Sequence, residues 1–198
     1  MKKIAITGGI GSGKSLVGKL IAEQGYDVFS CDAIYADLMQ DSKYIQKIQN
    51  VFPSAVANGK IDKKILGELV FNCPENRAIL DAIAHPLIMQ TLDEKLEASK
   101  TALTFAEVPL LFENNFQNQF DYVIVVLRDM QHRIDAIMQR NGLSKEDCQK
   151  RIFAQFDYDT AKLAGAFPKH CFLIENNADI QTLNKNLLSI IDNVKHKV

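Results

Sequence analysis

The sequence predicts an α/β fold: a five-stranded parallel sheet flanked by helices. Three observations carry that reading. Short apolar runs recur, helical patterns lie between them, and the first run passes through a glycine-rich turn directly into a helix. The first run is Lys3-Ile4-Ala5-Ile6-Thr7, too short for a helix and bounded by glycines. From 14 to 24, Leu16, Val17, Leu20 and Ile21 fall on one helical face, and Gly25 is placed to end it. Further strands are expected at 27–30, 103–107, 122–127 and 171–174. A closing amphipathic helix over 179–194 presents Ile180, Leu183, Leu187, Leu188 and Ile191 to the sheet, and 195–198 is expected to fray.

The spacing between strands is uneven. About seventy mainly helical residues separate the second strand from the third, far more than a crossover needs. Residues ~35–100 therefore read as a helical insertion over the carboxyl ends of the strands. A second, polar insertion spans ~129–165, with Ser144-Lys145-Glu146-Asp147 as its capping-box-like start. The expected organisation is one domain over 1–198. Its core is ~1–34, ~101–128 and ~166–198, with ~35–100 and ~129–165 as the two insertions.

The chain has 198 residues, with 23 basic against 24 acidic side chains. That balance disfavours a nucleic-acid partner, which usually selects a basic excess. No apolar run approaches the ~20 residues of a membrane span, and no secretory core follows Met1. Cys31, Cys73, Cys148 and Cys171 have no zinc spacing and are too few for a disulfide scaffold. Reduced thiols and a cytoplasmic location are expected.

The chemistry is concentrated at Gly8-Gly9-Ile10-Gly11-Ser12-Gly13-Lys14-Ser15, which matches G-x-x-x-x-G-K-[ST] at every specified place. It follows an expected strand and opens an expected helix, the context this phosphate-binding loop (P-loop) requires. Its glycines let successive N–H groups converge on an anion, and the helix N-terminus adds partial positive charge. Gly9, Ile10, Gly11, Ser12, Gly13, Lys14, Ser15 and Leu16 are the candidate ATP contacts. Lys14 is placed for the β- and γ-phosphates and Ser15 for Mg²⁺. The guanine-reading N-K-x-D is missing, because Asn184-Lys185 continues into Asn186-Leu187. No apolar run ends in Asp-Glu, as in many motor ATPases. A small-molecule kinase fits a short chain with two insertions better than a switch or a motor.

Beyond the loop stand Asp32, His85-Pro86-Leu87-Ile88, Pro109-Leu110-Leu111-Phe112-Glu113 and Gln139-Arg140-Asn141-Gly142-Leu143-Ser144. Arg151 with Gln155, Lys162 and Ile174-Glu175-Asn176 follow. With Ile6 to Ser15, these segments make the chain resemble the dephospho-coenzyme A kinases nearly end to end. The resemblance implies a P-loop kinase fold, with ~35–100 as the acceptor-binding insertion and ~129–165 as a lid. It also implies ATP and dephospho-CoA as partners, Mg²⁺ as cofactor, and transfer of the γ-phosphoryl group to the ribose 3′-hydroxyl. Another small-molecule kinase, or a slow nucleotide-binding switch, is the alternative. A monomer is expected. Three positions depart from the family pattern. Ser30-Cys31-Asp32 keeps one of two usual acids, Ala136 stands where an Arg is frequent, and Phe167 stands where an acid is usual.

Asp32, just past a strand's carboxyl end, reads as the base or hydroxyl-orienting group of the transfer, or as the N-cap of the next helix. The resemblance places His85 near the acceptor, whereas spacing alone makes His85-Pro86 a helix start with Pro in the first turn. Pro109, Leu110 and Leu111 are expected to wall the acceptor's pantetheine arm, and Glu107 or Glu113 to assist Mg²⁺ or bind the acceptor. Arg140 is the lid residue expected on the transferring phosphoryl group, with Arg133 sharing its load, and Asn176 is expected at the adenine edge.

Overall fold

The computed structural model describes residues 1–71 and 73–196. Its strands and helices run β1 (Lys2–Thr7), α1 (Lys14–Glu23), β2 (Val28–Ser30), α2 (Cys31–Leu38), α3 (Ser42–Val51), β3 (Val56–Ala57), β4 (Lys60–Ile61), α4 (Lys63–Phe71) and α5 (Pro74–Ala98). The second half runs β5 (Leu103–Glu107), β6 (Tyr122–Leu127), α6 (Met130–Asn141), α7 (Lys145–Phe153), α8 (Tyr158–Leu163), β7 (Cys171–Glu175) and α9 (Ile180–His196). The five expected strands form one sheet in the order β2-β5-β1-β6-β7. β1 pairs in parallel with β5 on one side and β6 on the other, and β6 with β7. Ile4–Ile6 of central β1 and Val123–Leu127 of β6 are continuous runs of buried apolar residues, as strands covered on both faces require.

The chain divides into two compact units, Met1–Phe29 with Ser99–Val198, and Ser30–Ala98. In the first, α1 and α9 bury one face each against the sheet. Val17, Leu20 and Ile21 from α1 join Leu183, Leu187, Ile190, Ile191 and Val194 from α9 around Ile4, Ile6, Phe105, Ile124 and Val126. This refines the expected stripe of α9. Ile180 and Leu188 are exposed, and Ile190 and Val194 take their places on the buried face. Asp179 caps this helix, its Oδ1 accepting from the Gln181 and Thr182 N–H groups at 2.9 Å. Helix α9 continues through Lys195 and His196, two of the residues expected to fray, while 197 and 198 lie outside the described residues.

In the second unit, Tyr44, Ile48, Phe52, Leu66, Leu80 and Ala84 form a separate core. Two expectations are corrected here. His85-Pro86 does not open a helix but lies in the middle of the 25-residue α5. Pro86 has no N–H to donate to the turn before it, and the helix nevertheless continues because Leu80, Ala84, Leu92 and Leu96 are buried on either side of it. The insertion is also not purely helical. Asn58 and Gly59, at φ 52° and 69°, turn the antiparallel pair β3–β4, with Val56 opposite Ile61.

Candidate active site

The loop between β1 and α1 is shaped by its glycines and held from outside by side chains of the later segments. Gly13, at φ 96°, is the N-cap of α1 and brings no side-chain oxygen, so the helix opens on backbone groups alone. A β-carbon at Gly13 would overlap the Asn176 amide, and one at Gly9 would overlap the Arg133 guanidinium. These two glycines are therefore required by close approach as well as by backbone angle.

Lys14 reaches back across the loop, its Nζ donating to the Gly8 and Gly9 carbonyls at 2.8 and 3.2 Å. That holds an ammonium over the backbone that the sequence assigns to phosphate. Ser15 Oγ donates to Glu107 Oε2 at 2.9 Å, bringing a hydroxyl and a carboxylate together at the loop's exit. Glu107 reaches there because Gly18, in the next turn of α1, leaves room for its carboxylate.

Four side chains that the loop motif does not contain fix its backbone. Asn176 is buried, and its Nδ2 donates to the Ser12 carbonyl at 2.9 Å. Gln155 Oε1 accepts from the Ile10 N–H at 2.6 Å, and Arg133 Nε donates to the Ile10 carbonyl at 3.0 Å. Arg128 Nη1 donates to the Gly11 carbonyl at 3.3 Å. Arg133 is 5% exposed. Burial pulls its pKa below the ordinary guanidinium value, opposed by Asp159, Tyr158 and Asp157 beside it.

With the loop, its lysine and its serine–carboxylate pair in place, comparison with known proteins decides the family. A family profile described as dephospho-CoA kinase matches residues 2–182. The chain belongs to the dephospho-CoA kinase family. A dephospho-CoA kinase of Staphylococcus aureus is 35% identical over 197 residues, covering 96% of this chain and 92% of that protein. A solved structure from Thermus thermophilus superposes with a TM-score of 0.83 at 31% identity, covering 97% of each chain. A dephospho-CoA kinase structure from Campylobacter jejuni superposes with a TM-score of 0.69 at 26% identity, covering 97% of this chain and 96% of that one.

The remaining residues expected at a dephospho-CoA kinase site are placed less uniformly. Arg140 is exposed in the last turn of α6, its Nε donating to Asn141 Oδ1, while Arg133 two turns earlier lies against the loop. Asn176 spends its Nδ2 on the loop backbone, which makes it a brace for Ser12 and Gly13. Asp32 is not the helix cap: Ser30 is, with its Oγ accepting from the Ala33 N–H at 3.4 Å. Asp32 occupies the first turn of α2 and is exposed. His85 Nε2 lies 3.6 Å from Asp81 Oδ1, one helical turn away on α5.

Leu111 is fully buried, and Phe112 stacks on Phe156 with ring centroids 5.0 Å apart. Tyr158 and Phe167 complete this aromatic cluster, and Glu113 Oε1 accepts the Phe156 N–H at 2.9 Å. Phe167, in the place of the family's usual acid, is thus a packing residue. In the segment expected to wall a pantetheine arm, Leu111 is buried while Pro109, Leu110 and Phe112 stay half-buried. Leu110 is held at φ 55° by Asn114, whose N–H and Nδ2 both donate to the Leu110 carbonyl. Arg128 and the bracing role of Asn176 were missed from sequence. Their only signal was position, just beyond the carboxyl ends of β6 and β7.

Proposed function

We propose that this chain transfers the γ-phosphoryl group of ATP to the ribose 3′-hydroxyl of dephospho-CoA, giving CoA and ADP. The observation that carries this reading is a complete phosphate loop, with Lys14 and the Ser15–Glu107 pair, in a chain of this family. The backbone N–H groups from Gly9 to Ser15 would bind the phosphates, and Lys14 would exchange its carbonyl partners for β- and γ-oxygens. Ser15 and Glu107 are two hard oxygen donors 2.9 Å apart, which suits Mg²⁺, a cation that takes phosphates and waters as its other ligands. Among the described residues no cluster of three or more His, Cys, Asp or Glu offers a fuller cage. Bound there, Mg²⁺ would neutralise charge on the phosphate oxygens.

Asp32 would accept the 3′-hydroxyl proton as the new O–P bond forms and the bond to the ADP oxygen breaks. Its place in the first turn of α2, directly after β2, supports that role. Arg140, exposed on the segment 129–165 that we take as the lid, would meet the phosphoryl oxygens. His85 would lie near the acceptor, in the insertion 35–100. The enzyme would act as a monomer in the cytoplasm. Among the described residues no helix is long and apolar enough to cross a membrane.

ADP release measured with and without dephospho-CoA tests the assignment. Release that depends on the acceptor is expected, and release at the same rate without it would contradict the reading.

A further inference from the structure

Three buried hydroxyls gather at the phosphate loop. Thr7 closes β1 directly before the loop, Ser12 lies within it, and Tyr158 opens α8; they are 0%, 1% and 3% exposed. Thr7 Oγ1, Ser12 Oγ and Tyr158 Oη have no hydrogen-bond partner among the described residues. Buried hydroxyls are normally paired, and an unpaired one lowers stability. Ser12 and Tyr158 line one narrow space with Gly9 and Arg133, and it has no room for a water molecule to bridge them. Burial pushes the pKa of the Tyr158 phenol up, and the Thr7 hydroxyl beside it pulls it partly back. The Tyr158 ring is fixed by packing, edge to face on Phe156 at 5.0 Å and 78° and on Phe112 at 6.0 Å and 67°. Phenylalanine would make the same ring contacts without an unpaired donor, so packing does not account for the hydroxyl.

Resting on the ATP-binding role proposed above, we infer that Tyr158 is a positioning residue for the nucleotide. Its hydroxyl, with those of Thr7 and Ser12, forms a hydrogen-bonded chain that holds the loop on bound phosphates. Lys14 Nζ donates to the carbonyls of Gly8 and Gly9, the two residues directly after Thr7. When that ammonium turns to the β- and γ-oxygens, the stretch between Thr7 and Ser12 loses this tie while the phosphates require a fixed loop. Three hydroxyls can replace it. Each donates one hydrogen and accepts others, so small movements link them in series, and bonds in series strengthen one another. Tyr158 supplies the outer end of the chain, because its ring is anchored in the aromatic cluster. Helix α8 belongs to the segment taken as the lid, so the chain ties that segment to the loop when nucleotide is bound.

Affinity and stability measured together on two hydroxyl deletions test the chain. In the full-length protein, Tyr158→Phe is expected to melt at the same temperature as wild type or higher. It should bind a non-hydrolysable ATP analogue about fivefold more weakly, the scale of one neutral hydrogen bond. Thr7→Val should show the same pair of effects. The double variant should also be about fivefold weaker, not about twenty-five-fold, because a chain already broken is not broken again. If Thr7→Val does not fold, Ser12→Ala takes its place in the cycle. A lower melting temperature with unchanged analogue affinity would make the hydroxyls structural and overturn the proposal. Unchanged affinity at an unchanged melting temperature would overturn it too, and losses that multiply in the double variant would show two independent contacts instead of a chain. If wild type binds the analogue but shows no acceptor-dependent ADP release, the function reading fails, and the cycle still decides the role of Tyr158.

Discussion

At the scale of single residues, Lys14 combines a mobile stem with a fixed address. Its ammonium donates to two loop carbonyls, and removing it costs the reaction its main point charge on phosphate. Lys14→Ala is expected to fold, by circular dichroism and melting temperature, and to lose roughly 10²–10³ in kcat, the scale for one charge-stabilising donor. Asp32→Asn keeps size and removes basicity. It should lower kcat at least ~10²-fold, the usual contribution of a positioned acid–base group, with ATP affinity unchanged. Full turnover with only a lower melting temperature would reduce Asp32 to a structural residue of α2. The two arginines of α6 should separate cleanly. Arg133 is buried and braces Ile10, so Arg133→Ala should lose on the order of 1.5–3 kcal/mol of stability, the range for a hydrogen bond from a charged group, and should weaken ATP binding. Arg140 is exposed, so Arg140→Ala should leave the melting temperature alone and lower kcat more than ATP affinity.

At the scale of elements, the strands were legible because burial on both faces writes an uninterrupted apolar run, as in Val123 to Leu127. The start of α7 was legible for a local reason, since Ser144 Oγ accepts the Asp147 N–H at 3.1 Å as the capping pattern predicts. Pro86 misled because a local rule about proline was applied where long-range packing decides the outcome. The β3–β4 hairpin was overlooked although Asn58-Gly59 signals its turn, because strands of two residues carry no periodicity. The site divides in the same way. The loop, with its Lys14 and Ser15, is contiguous and could be read directly, whereas Arg128, Arg133, Gln155 and Asn176 converge on it from separate segments. Helices α6 to α8 carry few buried residues, among them Ile134, Ile137, Cys148 and Ile152. Amides in 130–165 are therefore expected to exchange faster than those of Ile4 to Thr7, and to gain protection when a non-hydrolysable ATP analogue binds. No change in that segment on binding would contradict its role as a lid.

At the scale of the whole molecule, the first unit carries the phosphate loop and the second contains Asp32 and His85. Acceptor identity is the claim on which the rest depends, because the roles assigned to Asp32 and His85 presume it. The most direct test is to incubate the purified chain with ATP, Mg²⁺ and dephospho-CoA and to analyse the product by mass spectrometry and phosphorus–proton coupling. The account predicts a product one phosphate heavier than dephospho-CoA, with the new ester on the ribose 3′-oxygen, and none from Lys14→Ala. ATP consumed with dephospho-CoA recovered unchanged, or a phosphate found at another position, would contradict it.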